Sequence, residues 1–118
     1  MADVIKNASP FTIDGVNQYI MGGDSTGQVS ILTIHILSNT ATGSMTVTAR
    51  KAGSGLAFVQ IPYKKRWLNG AVGDDTNVTT AITGTSIIEV NAAGLDVALN
   101  VSALSAGSFT VHYSWNIG

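Results

Sequence analysis

The stretch SFTVHYSWNI, residues 108–117, alternates apolar and polar side chains without a break. A β-strand places successive side chains on opposite faces, so this period of two predicts a strand with one aromatic, buried face. The opposite face carries no formal charge when His112 is neutral. We therefore expect this strand to pack its aromatic side into a core and to present an uncharged polar side that suits packing against other protein.

Similar alternation elsewhere in the chain predicts an all-β protein. It is clean in residues 44–50 and 95–102, which each have one apolar and one polar face. Nine segments have strand character: residues 11–14, 16–21, 28–38, 44–50, 57–63, 78–83, 85–90, 95–102 and 108–116. About eight to nine short antiparallel strands predict a β-sandwich, of either jelly-roll or immunoglobulin-like topology.

Three turns end in glycine, at residues 39–43, 91–94 and 105–107. Glycine readily adopts the positive φ that closes a tight turn, so each segment is predicted to close a hairpin. The carboxy-terminal third is then expected to form a meander of sequential strands.

Residues 28–38 are apolar on both faces of their predicted strand. One face can pack on the opposite sheet, but the other needs cover from a terminal arm or from a second subunit, and the sequence leaves both alternatives open. We assign residues 1–10 to an extended N-terminal arm and residues 11–118 to the β-sandwich domain. The two apolar sets are Val29, Ile31 and Leu37 on one face, and Leu32, Ile34 and Ile36 on the other.

Composition limits the classes of partner. The chain has 118 residues, no cysteine and a net charge of −1, and its charged fraction of 11% is far below the roughly 25% of typical soluble domains. Such a chain has no long-range field for nucleic acid or a membrane, so neither is predicted as a partner. The amino terminus lacks the pattern of a secretory signal, which predicts synthesis and retention in a cytoplasm.

The most distinctive cluster is Tyr63, Lys64, Lys65, Arg66 and Trp67, which holds half of the basic residues. It has three interpretations: a solvated loop after a strand broken by Pro62, an interface with another protein, or a nucleic-acid contact. Arg and Trp are enriched among the residues that dominate protein interfaces. We predict these five residues as partner-binding, with Tyr63 and Trp67 as exposed platforms in the alternative case of a carbohydrate ligand.

No constellation of residues predicts catalysis. Asp74, Asp75 and Asn77 offer oxygen ligands but lack the spacing of an EF-hand, so a plain turn is expected. His35 and His112 could ligate a metal or act as a base, but no third ligand or nucleophile accompanies them, and surface histidines are expected. The chain is therefore predicted not to be an enzyme and to have no catalytic residues, no cofactor and no metal.

The overall layout resembles small structural proteins of tailed bacteriophages, in particular capsid decoration or cement proteins. The resemblance lies in the length, the absence of cysteine, the extended start at residues 2–7 and the closing strand at residues 107–115. It implies a virion protein made in the host cytoplasm, a homo-oligomer with a trimer favoured, that braces subunits of the major capsid protein from outside. A phage tail component and a carbohydrate-binding or receptor-binding β-sandwich module are the alternatives.

Overall fold

The protein is described by a computed structural model of residues 7–23 and 30–117. No helix in these ranges is long and apolar enough to cross a membrane. The described residues form eleven strands: β1 (Phe11–Ile13), β2 (Gln18–Gly23), β3 (Ser30–Asn39), β4 (Thr42–Lys51), β5 (Val59–Gln60), β6 (Tyr63–Leu68), β7 (Ala71–Val72), β8 (Asn77–Val78), β9 (Ser86–Asn91), β10 (Leu95–Ser105) and β11 (Ser108–Ile117).

The strands form two antiparallel sheets. The larger sheet has seven strands in the order β1-β11-β3-β9-β6-β7, with β8 also paired to β6, and the smaller sheet has the order β2-β10-β4-β5. Four of the strand pairs are nested along the sequence: the first strand pairs with the last, and each later pair lies within the segment that the previous pair encloses. These pairs are β1/β11, β2/β10, β3/β9 and β4/β5. This nesting over two sheets is the jelly-roll topology, so the predicted all-β sandwich is confirmed and its immunoglobulin-like alternative is wrong.

The predicted C-terminal meander is wrong, because β9, β10 and β11 alternate between the two sheets. The three glycine-ending turns therefore carry the chain across the sandwich instead of closing hairpins. Gly94 and Gly107 have positive φ as expected. In the first turn, however, the residue with positive φ is Thr40, at 60°, and not Gly43. Gly43 is needed for space instead, since a Cβ there would lie 2.5 Å from the carbonyl oxygen of Ala103.

The core lies between the sheets. Phe109 and Val111 are fully buried, and Tyr113 and Trp115 are half-buried against the core, as the alternation of residues 108–116 predicts. Trp115 also donates its indole N–H to the carbonyl oxygen of Met21, 3.2 Å away in the other sheet. The smaller sheet contributes the fully buried side chains Met21, Met45, Val47, Ala49, Val97, Leu99 and Val101.

Strand β3 has one buried and one open face. Its core-facing set, Leu32, Ile34 and Ile36, is completely buried, whereas Leu37 on the other face is 44% exposed and Ile31 is half-buried. Val29 and residues 1–6 of the predicted arm lie outside the described residues. The described part of the arm contacts strands of both sheets: Asn7 donates its backbone N–H to the carbonyl oxygen of Ile20 in β2, and the Ser9 hydroxyl oxygen accepts the backbone N–H of Tyr113 in β11.

Two predicted strands are largely absent. Residues 57–63 contain only the short strand β5 and the first residue of β6, because the chain passes from the smaller to the larger sheet around Pro62, which has no N–H to donate to a ladder. Residues 78–83 contain only the end of β8, followed by a single bridge from Ile82 to Met45.

Candidate partner-binding surface

Residues 64–67 lie within strand β6, so their interpretation as a solvated loop is wrong. The strand pairs with β9 along one side and with β7 and β8 along the other. These neighbours pair with the backbone N–H and C=O groups of β6. The charged side chains of the segment conceal the apolar–polar alternation that would otherwise predict a strand. The larger sheet thus presents the basic and aromatic side chains on fixed backbone.

A β-bulge between Lys65 and Trp67 sets the direction of these side chains. Lys64 lies opposite Glu89 and Trp67 lies opposite Ile87, so β6 has one more residue than β9 between the two pairs. Glu89 and Ile87 alternate with the fully buried Ile88 and Val90, which places them on the face of the larger sheet that points away from the core. We call this the outer face, and the bulge brings Lys64, Arg66 and Trp67 to it together.

The charges on the outer face neutralise one another. Arg66 donates from Nε and Nη2 to the two carboxylate oxygens of Glu89, at 2.9 and 3.2 Å, and from Nη1 to Asp75. Hydrogen bonding from Arg66 lowers the pKa of Glu89, and that from Glu89 raises the pKa of Arg66, so both stay ionised. With Lys64 opposite Glu89, two positive and two negative groups sum to zero. Exposed pairs of this kind contribute about 1 kcal/mol or less to stability, so their main effect is to fix orientation.

Tyr63 does not belong to the exposed surface. Its side chain is only 2% exposed, and its hydroxyl donates a hydrogen bond to the carbonyl oxygen of Thr80. Burial raises the pKa of the Tyr63 phenol, which keeps it protonated as a donor. Tyr63 is a core residue, and its predicted role as an exposed platform for a sugar ring is wrong.

A row of side chains crosses five strands of the outer face at right angles to the strand direction. None of these side chains carries a formal charge when the two histidines in the row are neutral. Trp67 lies opposite both Val72 of β7 and Ile87 of β9, Ile87 lies opposite His35 of β3, and His35 lies opposite His112 of β11. Val72 is 79% exposed and Trp67 is half-buried. Val72 and Ile87 were not among the residues predicted from the sequence to contact a partner. The alternation around Ile88 is the signal that could have placed Ile87, but no local pattern marks Val72.

Gly73 allows the β7–β8 segment to lie close to β6. Its backbone N–H donates to the carbonyl oxygen of Arg66 at 2.9 Å, and a Cβ at this position would lie 1.6 Å from the carbonyl oxygen of Lys65. We expect Gly73→Ala to destabilise the protein by about 1–3 kcal/mol, as overpacking does. Urea denaturation measures this loss.

Gly15→Ala is the matched control, because its added Cβ would meet the amide end of the exposed Asn17 side chain at 3.3 Å and the Tyr19 hydroxyl oxygen at 3.9 Å, an ordinary van der Waals distance. A Gly73→Ala variant as stable as the control would contradict the close approach.

The other candidate residues are dispersed. Asp74 accepts hydrogen bonds from the backbone N–H and hydroxyl of Thr76, which lower its pKa, while Asp75 is engaged by Arg66. The two carboxylates therefore have different partners. His35 and His112, by contrast, lie directly opposite each other on the outer face.

No protein-family model, curated protein or solved structure matches this chain. Its function therefore has to be inferred from the fold and from the chemistry of the outer face.

Proposed function

We propose that the protein is a structural protein of a tailed bacteriophage, a decoration or cement protein that binds the outside of the capsid and stabilises it by bridging subunits of the major capsid protein. The observation that carries this proposal is the outer face, where the uncharged side chains of Trp67, Val72 and Ile87 lie beside charges that are already neutralised in pairs. Such a face can be buried against protein without leaving an isolated charge, which would be costly.

The dimensions of the molecule support docking through this face. The principal extents are 37 × 36 × 22 Å, and a two-layered sandwich is thinnest across its sheets, so the outer face spans the two long dimensions. A standard protein interface buries about 800 Å² per partner, which such a face can provide. Trp67 and Arg66 are the residue types that most often dominate interface energies.

The jelly-roll topology is compatible with the proposal but does not select it. Viral capsid domains, lectins and cupins all use this topology, so the fold alone does not specify a function. The low charge of the chain adds support, because many identical weak contacts on a repeating shell add through multivalency without strong electrostatics.

The proposal includes a homo-oligomer, with a trimer favoured, located on the virion surface after synthesis in the host cytoplasm. Catalysis, nucleic acid and membranes have no part in it. A phage tail component would use the same kind of surface, and the location of the bound protein on the particle distinguishes the two.

Replacing Arg66 and Trp67 together with alanine is expected to raise the Kd for the capsid by at least about tenfold, since truncating a single dominant interface residue costs about 2 kcal/mol or more. The measurement is co-sedimentation of the purified protein with capsids of its phage from which the protein has been stripped.

The matched control replaces Leu56 and Val59 with alanine. Both side chains are 62% exposed; Val59 lies in β5 of the smaller sheet and Leu56 lies in the segment before it, away from the outer face. The control should bind like the unmodified protein. Unchanged occupancy of the Arg66/Trp67 variant, with circular dichroism showing the fold intact, would remove these residues from the interface. Binding to tails and not to heads would overturn the capsid assignment.

A further inference from the structure

A pair of histidines faces solvent at one end of the row that crosses the outer face. His35 of β3 and His112 of β11 are directly opposite in the antiparallel register, and both side chains are exposed. They line one shallow depression of about 370 Å³, together with Ser9, Thr33, Tyr113 and Ser114. These are the only histidines in the chain, and the chain has no cysteine.

We infer that His35 and His112 together bind a divalent transition-metal ion of the Zn²⁺ class. Opposite residues of an antiparallel pair have Cβ atoms about 4.5–5.5 Å apart, so two imidazoles on one face are close neighbours. A tetrahedral ion with metal–nitrogen bonds of about 2.0–2.1 Å needs its two nitrogens roughly 3.3 Å apart, a separation that a small inward tilt of both rings gives.

The surroundings suit such a site. Thr33 and Ser114 are themselves directly opposite, two residues along from the histidines on the same face, and both line the depression. Their hydroxyls add polar side chains on the same face, and a metal-bound imidazole commonly donates its second N–H to an oxygen atom of the protein or to a water molecule. Borderline metals prefer imidazole nitrogen to the hydroxyl oxygens of the other residues that line the depression.

The site supplies two protein ligands. No group of three or more His, Asp or Glu side chains converges to hold a metal within residues 7–23 and 30–117. A two-histidine site leaves coordination positions open for water, which makes it a peripheral, exchangeable site instead of a structural one. The fold is accordingly expected to form without the ion.

Calorimetric titration of the purified full-length protein with ZnCl₂ tests the site. We expect one ion per chain, with the imidazole resonances of both histidines shifting together in NMR spectra. His35→Ala and His112→Ala should each weaken binding by at least about tenfold, because even loss of a residue behind a ligand typically costs 10–100-fold.

A composition-matched variant separates the pair from histidine content alone. Exchanging the two outward residues of β11, by Thr110→His with His112→Thr, keeps two histidines on the same face. It moves one of them to a diagonal position, about 7–8 Å from its neighbour. We expect this variant to bind Zn²⁺ as weakly as the single-alanine variants. Equal affinity of the unmodified and exchanged proteins, or no binding by the unmodified protein beyond that of the alanine variants, would overturn the inference.

The metal site does not depend on the proposed capsid role. Zinc binding is measured on the isolated protein, whereas capsid attachment is measured on particles. Either result can fail without the other.

Discussion

Replacing Tyr63 with alanine is expected to destabilise the protein by about 3–5 kcal/mol, the usual cost of removing a large aromatic side chain from a core. Tyr63 has the largest of the fully buried side chains that the structure describes, and its hydroxyl is bound to Thr80. The free energy of unfolding of a single domain is only about 5–15 kcal/mol, so this one change removes a large fraction of it. Urea denaturation followed by tryptophan fluorescence measures it.

Two variants bracket this result. Tyr63→Phe keeps the ring and removes only the hydroxyl, so a loss of about 0.5–1.5 kcal/mol is expected. Val72→Ala shortens a side chain that is 79% exposed in the same sheet, and its effect should stay within about 0.5 kcal/mol. If Tyr63→Ala instead kept full stability and lost capsid binding, Tyr63 would be a partner contact and its assignment to the core would be wrong.

Removing either partner of the Arg50–Asp96 ion pair is expected to cost about 3 kcal/mol, the lower end of the range for breaking a buried pair. Arg50 of β4 and Asp96 of β10 are directly opposite, with 2.9 Å between Nε and Oδ2, and their side chains are only 8% and 14% exposed. Asp96 also accepts the backbone N–H of Gly53, and the Arg50 guanidinium lies 4.5 Å from the centre of the Phe58 ring. The pair therefore fastens the segment between β4 and β5 onto the smaller sheet.

A double-mutant cycle tests this coupling. The singles Arg50→Met and Asp96→Ala each leave one charge without its partner, whereas the double variant leaves neither. We expect the loss of unfolding free energy in the double variant to be clearly smaller than the sum of the losses in the two single variants. We also expect the Gly53 amide to exchange its hydrogen faster in every variant that lacks Asp96. Strictly additive losses would mean that the two side chains stabilise the fold independently.

These two stability predictions concern residues that the outer face does not use. The Tyr63 side chain, at the start of β6, is buried in the core, and the Arg50–Asp96 pair lies in the smaller sheet. Apart from the Leu56/Val59 control, the capsid and zinc experiments change only outward-facing residues of the larger sheet. A folding defect and a binding defect can therefore be assigned to different sets of residues.

Part of the candidate surface was readable from the sequence. The cluster at residues 63–67 was singled out by its charge and aromatic content, and four of its five members have exposed or half-buried side chains on β6. Tyr63 was wrongly predicted to be exposed because the residues next to it in the sequence do not show whether its side chain points into the core or towards solvent. Its burial follows from Val78 opposite it and from Thr80, both distant in the chain.

The all-β sandwich, and the side of residues 108–116 that faces the core, can be predicted from the amino-acid sequence alone. Period-two alternation is a local property, since each side chain's face follows from its neighbours along the same strand. Three features depend on long-range pairing: successive C-terminal strands alternate between the sheets, residues 64–67 belong to a bulged strand, and His35 lies opposite His112. A turn sequence shows that the chain reverses but not which strand will lie beside it, because pairing is fixed by packing between segments far apart in the chain.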